Sequence, residues 1–210
     1  MFRVKSLFVG TSLVAIALLA ILASPKIAQG APTTLDNLQA AFNGESNAHA
    51  RYLAFAQKAD AEGYGQAASL FRAAARAEEV HASNHAVVIK KMGAVPQAKI
   101  DAPDVKSTRE NLQAAIKGET YERDVMYPDF LKKARLDRNT DAIRTFNLAK
   151  TAEAEHAKLY SEALNSLDQL KGSKNEAFYV CPTCGFTART LPMEKCPSCF
   201  TPKEQFEKVA

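Results

Sequence analysis

Apolar residues recur at helical spacing through Leu35, Leu38, Phe42, His49, Tyr52, Leu53 and Phe55, and the pattern ends at Gly63 and Gly65. A second helical stretch runs over 66–92 and stops at Gly93 and Pro96. Residues 94–107, with Pro96 and Pro103, read as a long connection. Thr108 with Glu110 and Asn111 then opens a third helix to about Leu136, and a fourth spans about 140–170, ending before Gly172. Four helices joined short, long, short predict a mainly α chain: a four-helix bundle with one crossover, the ferritin-like arrangement. A different pattern precedes them. Residues 6–25 carry no charge, and Leu13–Ala23 is almost entirely Leu, Ile, Val and Ala.

That leading stretch follows Arg3 and Lys5 and ends in Ala28-Gln29-Gly30, small residues at the positions a signal peptidase reads. Residues 1–30 are therefore expected to be a signal peptide, cleaved before Ala31, and the protein to be exported to the periplasm. The alternative is an uncleaved N-terminal membrane anchor with the rest facing outside the cytoplasm, since a spanning helix needs roughly 20 apolar residues. The 210 residues, 47% hydrophobic and 24% charged, suffice for one core and a small satellite. The net charge of +4 includes Arg3, Lys5 and Lys26, which leaves 24 basic against 23 acidic residues beyond position 30. So even a balance predicts no nucleic-acid partner.

The bundle is internally duplicated. Residues 37–46, NLQAAFNGES, return 74 positions later as NLQAAIKGET at 111–120, and 77–82, AEEVHA, return at an offset of 75 as AEAEHA at 152–157. In Glu78-x-x-His81 and Glu153-x-x-His156 three residues turn a helix by about 300°, so carboxylate and imidazole share one face. With Glu45 and Glu119 from the partner helices they complete the four-Glu, two-His set of di-iron carboxylate bundles, and Glu122 adds a fifth carboxylate on the face of Glu119. Such donors suit iron or manganese and accept zinc. Tyr52 and Tyr127 are placed to hydrogen-bond the ligand carboxylates or to pack in the core. His49 and His85 read as satisfied polar residues near the cavity, and Glu79 and Glu155 as solvent-facing.

All four cysteines lie in the tail, as Cys181-x-x-Cys184 and Cys196-x-x-Cys199. Two such knuckles separated by eleven residues bring four thiolates onto one iron or zinc ion, and disulfides are the weaker reading. The domains read as 1–30 signal peptide, 31–171 bundle, 172–177 flexible linker and 178–210 a small knuckle module with its own, independent metal site.

Together these motifs resemble the rubrerythrins: Ala41-Phe42-Asn43-Gly44-Glu45-Ser46 with Arg51-Tyr52, Glu78-x-x-His81, Gly118-Glu119-x-x-Glu122 with Met126-Tyr127-Pro128, Glu153-x-x-His156, and two C-x-x-C pairs. The resemblance implies a ferritin-like di-iron domain followed by a rubredoxin-like domain. It implies a peroxidase that reduces hydrogen peroxide to water with electrons relayed through a four-cysteine iron site, and a homodimer. It further implies that Glu78 and Glu153 bridge two irons, that Glu119 and His156 hold one, and that Glu45 holds the other, which shifts between His81 and Glu122 with oxidation state. Export would require an extracytoplasmic or membrane electron donor. Phe200 departs from the family, standing where a small residue commonly follows the last cysteine. The competing reading is a non-enzymatic iron-binding or ferroxidase-like store with a structural zinc knuckle.

Overall fold

A computed structural model of the chain describes residues 1–2, 31–191 and 194–210. The expected signal or anchor segment lies outside the described residues. Pro32–Ala210 form one compact unit, built on helices α1 (Thr34–Ala61), α2 (Gly65–Lys91), α3 (Thr108–Tyr121), α4 (Tyr127–Leu136) and α5 (Thr140–Asn165). Among the described residues no helix is long and apolar enough to cross a membrane. The starts of α1 and α3 are set by capping boxes: Thr33 accepts from the Asp36 N–H while the Asp36 carboxylate accepts from the Thr33 N–H, and Ser107 and Glu110 repeat the arrangement.

The third helix expected from the sequence is interrupted. Between α3 and α4, residues Glu122–Met126 form a π segment, closed by the Tyr127 N–H donating to the Glu122 carbonyl five residues earlier. Pro128 favours this local widening, because it has no N–H to continue the α-helical ladder.

The crossover is held by a ladder of side-chain amides. Gln39, Asn43 and Asn47, each four residues apart on α1, exchange hydrogen bonds with the backbone of Val95, Gln97, Lys99 and Asp101 at 2.8–3.1 Å. The registers match because four helical residues rise about 6 Å and two extended residues about 6.6 Å.

In the tail a three-stranded antiparallel sheet, β1 (Phe178–Val180), β2 (Thr187–Ala188) and β3 (Glu207–Val209), has the order β2-β1-β3. Contrary to expectation, neither the linker nor this module is independent of the bundle. Tyr64 caps α2 without a side-chain hydrogen bond, and the linker fills that role: Ser173 accepts from the Gly65 N–H through its carbonyl (3.3 Å) and from the Gln66 N–H through Oγ (3.1 Å). Gly172 donates to the Gly63 carbonyl at 2.8 Å. Farther along, Arg76 of α2 forks onto both carboxylate oxygens of Glu207 at 2.6 and 2.9 Å. Phe178 and Val180 share an apolar cluster with Tyr52, Phe55, Phe71 and Tyr160. A second cluster, with Leu38, Ile89, Tyr127, Leu131 and Phe146, fills the other end of the bundle.

A Cβ at Gly65 would lie 2.5 Å from the Ser173 carbonyl oxygen and 2.7–2.8 Å from the backbone of Lys174 and Asn175. Gly65→Ala is therefore expected to destabilise the protein by about 1–3 kcal/mol, measured as a lowered denaturation midpoint. An unchanged midpoint would mean that the linker is not docked there.

Candidate metal centres

On each long helix the chemistry-bearing residues sit between the stretches that feed the two apolar clusters. Glu45 falls between Ala41 and Ala48, Glu78 and His81 between Ala77 and Val88, Glu119 and Glu122 between Ala115 and Tyr127, and Glu153 and His156 between Ala149 and Leu159. The bundle thus encloses a polar layer between two apolar ones. Its donor atoms form two groups, Glu45, Glu78, His81 and Glu153, and Glu78, Glu119, Glu153 and His156, each with one atom per residue within 4.8 Å of the others. Glu78 and Glu153 belong to both, the position a bridging carboxylate requires. Glu122 belongs to neither. It is the most exposed of the seven at 9%, and it borders a cleft of about 490 Å³ with Gly44, Arg51 and residues 101–104 of the crossover.

The histidine tautomers are fixed from outside the layer. His81 Nε2 lies 3.0 Å from the Cys184 carbonyl, which can only accept. His156 Nε2 lies 3.0 Å from Thr187 Oγ1, whose own proton goes to the Gly185 carbonyl at 3.1 Å. Both imidazoles therefore carry the proton on Nε2 and turn Nδ1 inward. There His81 Nδ1 meets Glu78 at 2.8 Å and Glu153 at 3.0 Å, and His156 Nδ1 meets Glu153 at 3.0 Å and Glu119 at 3.4 Å. A lone pair facing carboxylates is repulsive unless a cation or proton lies between them. One oxygen of each of Glu45, Glu78, Glu119 and Glu153 is also buried with no hydrogen-bond partner, which costs free energy in a dry interior. The donor set fits two cations bound between the quartets.

Both tyrosines take the polar role. Tyr52 donates to Glu119 at 2.6 Å, and Tyr127 donates to Glu45. His85 is fully buried and bonded to Tyr127 and Thr145, and His49 Nδ1 lies 2.7 Å from the Ala75 carbonyl. Glu79 is exposed, and Glu155 half-buried beside Lys158. The π segment was missed, although a signal for it exists. Tyr52 follows Glu45 by seven residues and Tyr127 follows Glu119 by eight, so one residue has been added within the second copy, and the π segment absorbs it. Nothing in the sequence marks Thr187 or the Cys184 carbonyl as histidine partners.

Around the tail site, the Sγ atoms of Cys181 and Cys199 are 3.5 Å apart and those of Cys184 and Cys196 3.6 Å. Those separations are too long for disulfides and close to the edge of about 3.8 Å that a tetrahedral ion with Zn–S-type bonds would give. All four cysteines are free. Hydrogen bonding from Cys184 lowers the Cys181 thiol to about 5, while burial raises Cys196 to about 11. Each knuckle ends in a residue of left-handed backbone, Gly185 (φ 75°) and Phe200 (φ 64°). Gly185 is obligatory, since a Cβ there would strike the His81 imidazole. Phe200 meets no such wall and is 74% exposed, so the departure from a small residue is tolerated at a backbone cost on the order of 1 kcal/mol.

Burial, reinforced by neighbouring carboxylates, raises Glu78, Glu122 and Glu153 well above the usual value of 4.5. Burial alone would lower His81, but the charges of Glu153 and Glu45 override it and raise the group. Glu45 is lowered despite its burial, because it faces His85 and His81.

The Rubrerythrin family model matches residues 36–164. Nigerythrin of Nitratidesulfovibrio vulgaris is 41% identical over 175 residues, 83% of this chain and 85% of that protein. Rubrerythrin-2 of Clostridium acetobutylicum is 39% identical over 176 residues, 83% of this chain and 95% of that protein. The solved structure of fully reduced, all-ferrous nigerythrin superposes with a TM-score of 0.79 at 38% identity, covering 88% and 90% of the two chains.

Groups whose folded pKa lies above the unfolded value stabilise fully below that unfolded value and lose the contribution as pH rises through the folded one. Glu78, Glu122, Glu153 and His81 all act in this direction, while Glu45 contributes above 4.5 and is lost only towards lower pH. The metal-free protein is expected to lose thermal stability as pH rises above the ordinary carboxylate value of 4.5, and the metal-loaded protein to hold or gain it, because protons compete with the cations. Calorimetry of both forms checks this. A parallel pH dependence in the two forms would exclude the buried carboxylates as ligands.

Proposed function

The chain belongs to the rubrerythrin family, di-iron oxidoreductases of oxidative-stress defence with two irons in the bundle and one at the four cysteines, and from that premise we propose that it reduces hydrogen peroxide to water. The observation that carries this reading is the 3.0 Å hydrogen bond from His81 Nε2 to the Cys184 carbonyl, which joins a residue of the four-cysteine site directly to a donor of the bundle site. An iron store needs some acceptor for the His81 Nε2 proton but gains nothing from placing that acceptor on a second metal site; an enzyme whose bundle must be re-reduced after every turnover does. When bound, the irons supply the two electrons that break the O–O bond, and the tetrathiolate site restores them singly.

The residues divide the remaining work. Peroxide enters at the cleft beside Gly44 and Arg51 and meets Glu122 at its inner edge. Tyr52 and Tyr127 hold Glu119 and Glu45 in place by donating to one oxygen of each, leaving Glu119 Oε2 and Glu45 Oε2 free to ligate. Glu78 and Glu153, common to both quartets, would be shared by the two ions, and Glu122, outside both, would offer a further carboxylate to the ion held by Glu45 and His81. Residues 1–30 direct the chain out of the cytoplasm, where a membrane or periplasmic carrier donates electrons, and the protein works as a homodimer.

Rapid-mixing oxidation of the reduced protein should be faster with peroxide than with dioxygen, and the reverse order would end the peroxidase assignment. Glu122→Gln is expected to keep full metal occupancy and to slow peroxide turnover by about 10 to 100-fold. Wild-type turnover in that variant would remove Glu122 from the mechanism while leaving the two quartets intact.

A further inference from the structure

Away from the Glu122 cleft, a line of four buried side chains leads out of the bundle site on its opposite flank. Glu45 accepts from the Tyr127 hydroxyl. The Tyr127 oxygen lies 3.1 Å from His85 Nε2, and His85 Nδ1 lies 3.0 Å from Thr145 Oγ1. Thr145, 4% exposed, borders a separate surface cleft of about 220 Å³ between α2 and α5, flanked by Asn84, Lys91, Asp141 and Arg144.

The proton positions follow from the end of the line. A carboxylate only accepts, so Tyr127 donates to Glu45, and its oxygen must then accept from an Nε2–H of His85. That leaves the Nδ1 lone pair to accept the Thr145 hydroxyl proton. Every donor points the same way, from the cleft towards Glu45.

We propose that Thr145, His85 and Tyr127 form a proton relay that supplies the bundle site from the α2–α5 cleft, an inference that rests on the peroxide-reducing reading. Conversion of one peroxide to two waters breaks the O–O bond, takes up two electrons and consumes two protons, and the donor residues around it are almost wholly buried. In one passage Glu45 receives the Tyr127 proton, Tyr127 takes that of His85 Nε2, His85 Nδ1 takes that of Thr145, and water in the cleft replenishes Thr145. The Oε1 hydroxyl of the protonated carboxyl turns from Tyr127 towards the site and gives its proton to the departing oxygen, which returns Glu45 to the carboxylate that ligates through Oε2. Hydroxyl rotation and imidazole tautomer exchange restore the direction before the second proton. Each relay residue gives one proton and gains one, so none changes its net charge. Substrate and protons thereby arrive by different routes, peroxide past Glu122 and protons past Thr145.

Two readouts test the relay. In the full chain loaded with zinc, imidazole ¹H–¹⁵N spectra should place the His85 proton on Nε2, exchanging slowly with solvent; an Nδ1–H tautomer would overturn the relay whatever the oxidant. In the iron-loaded chain, Thr145→Val should slow peroxide-driven oxidation by about 10 to 100-fold and enlarge the solvent deuterium isotope effect, and Thr145→Ser, which keeps the hydroxyl, should restore both. Wild-type rate and isotope effect in Thr145→Val would overturn the proposal. A wild-type protein inert to peroxide would instead overturn the peroxidase reading, leaving the His85 tautomer to decide separately whether the donor chain exists.

Discussion

Glu45, Glu78, Glu119, Glu122 and Glu153 lie in the middle of the bundle with 0 to 9% of their surface exposed. In such surroundings neighbouring carboxylates repel far more strongly than in water, and each loses its hydration. The layer can persist only by taking up protons or by holding cations. Its construction favours cations: the tyrosines satisfy one oxygen of Glu45 and one of Glu119, while four carboxylate oxygens and two imidazole lone pairs remain turned inward without partners. The apolar clusters on either side keep water out, which strengthens the attraction for whatever charge the layer binds.

The same demand explains why the tail is packed where it is. An imidazole presents Nδ1 to a cation only if Nε2 keeps the proton, and an external acceptor enforces that. For His81 the acceptor is a carbonyl of the first knuckle, for His156 a hydroxyl two residues past Gly185. Neither acceptor belongs to the helical repeat. The bundle thus borrows its tautomer control from the four-cysteine module, and the module, too small for a self-sufficient core, borrows apolar cover and the Arg76–Glu207 pair from α2. Docking of the tail on the bundle therefore also orients the ligands of the bundle site.

The duplicated helical motifs and the knuckle spacings carried the fold and the ten donor residues that the structure gathers into clusters, with Glu122 standing apart, because ligands must recur on one helical face and thiolates must converge within a short loop. What escaped the sequence depends on contacts between distant segments. The docked linker is one case: its glycines and serine read as flexible, yet Ser173 acts as the missing cap of α2. The acceptor role of Thr187 is another, since a threonine in a short strand carries no local mark of a histidine across the interface. The π segment lies between these extremes, encoded in the change of repeat offset but invisible to helical periodicity.

The two halves of the duplication are alike at the ligands and differ just outside them. His85 stands one turn beyond His81, and the corresponding residue beyond His156 is Tyr160. Tyr160 packs edge-on against Tyr52 at 5.5 Å and at a tilt against Phe71 at 5.2 Å, and its buried hydroxyl has no hydrogen-bond partner. A phenol there extends the apolar plug behind Glu119 and carries no hydrogen bond onward. On the other half, the imidazole of His85 has two nitrogens that can be bonded at once, one to Tyr127 and one to Thr145. Two residue differences between the copies, His85 for Tyr160 and Thr145 for Leu70, therefore seal one flank of the layer and give the other a continuous line of hydrogen bonds to the surface. Symmetry is kept where two cations require equivalent donors, and it is broken at the residues of the proposed proton relay.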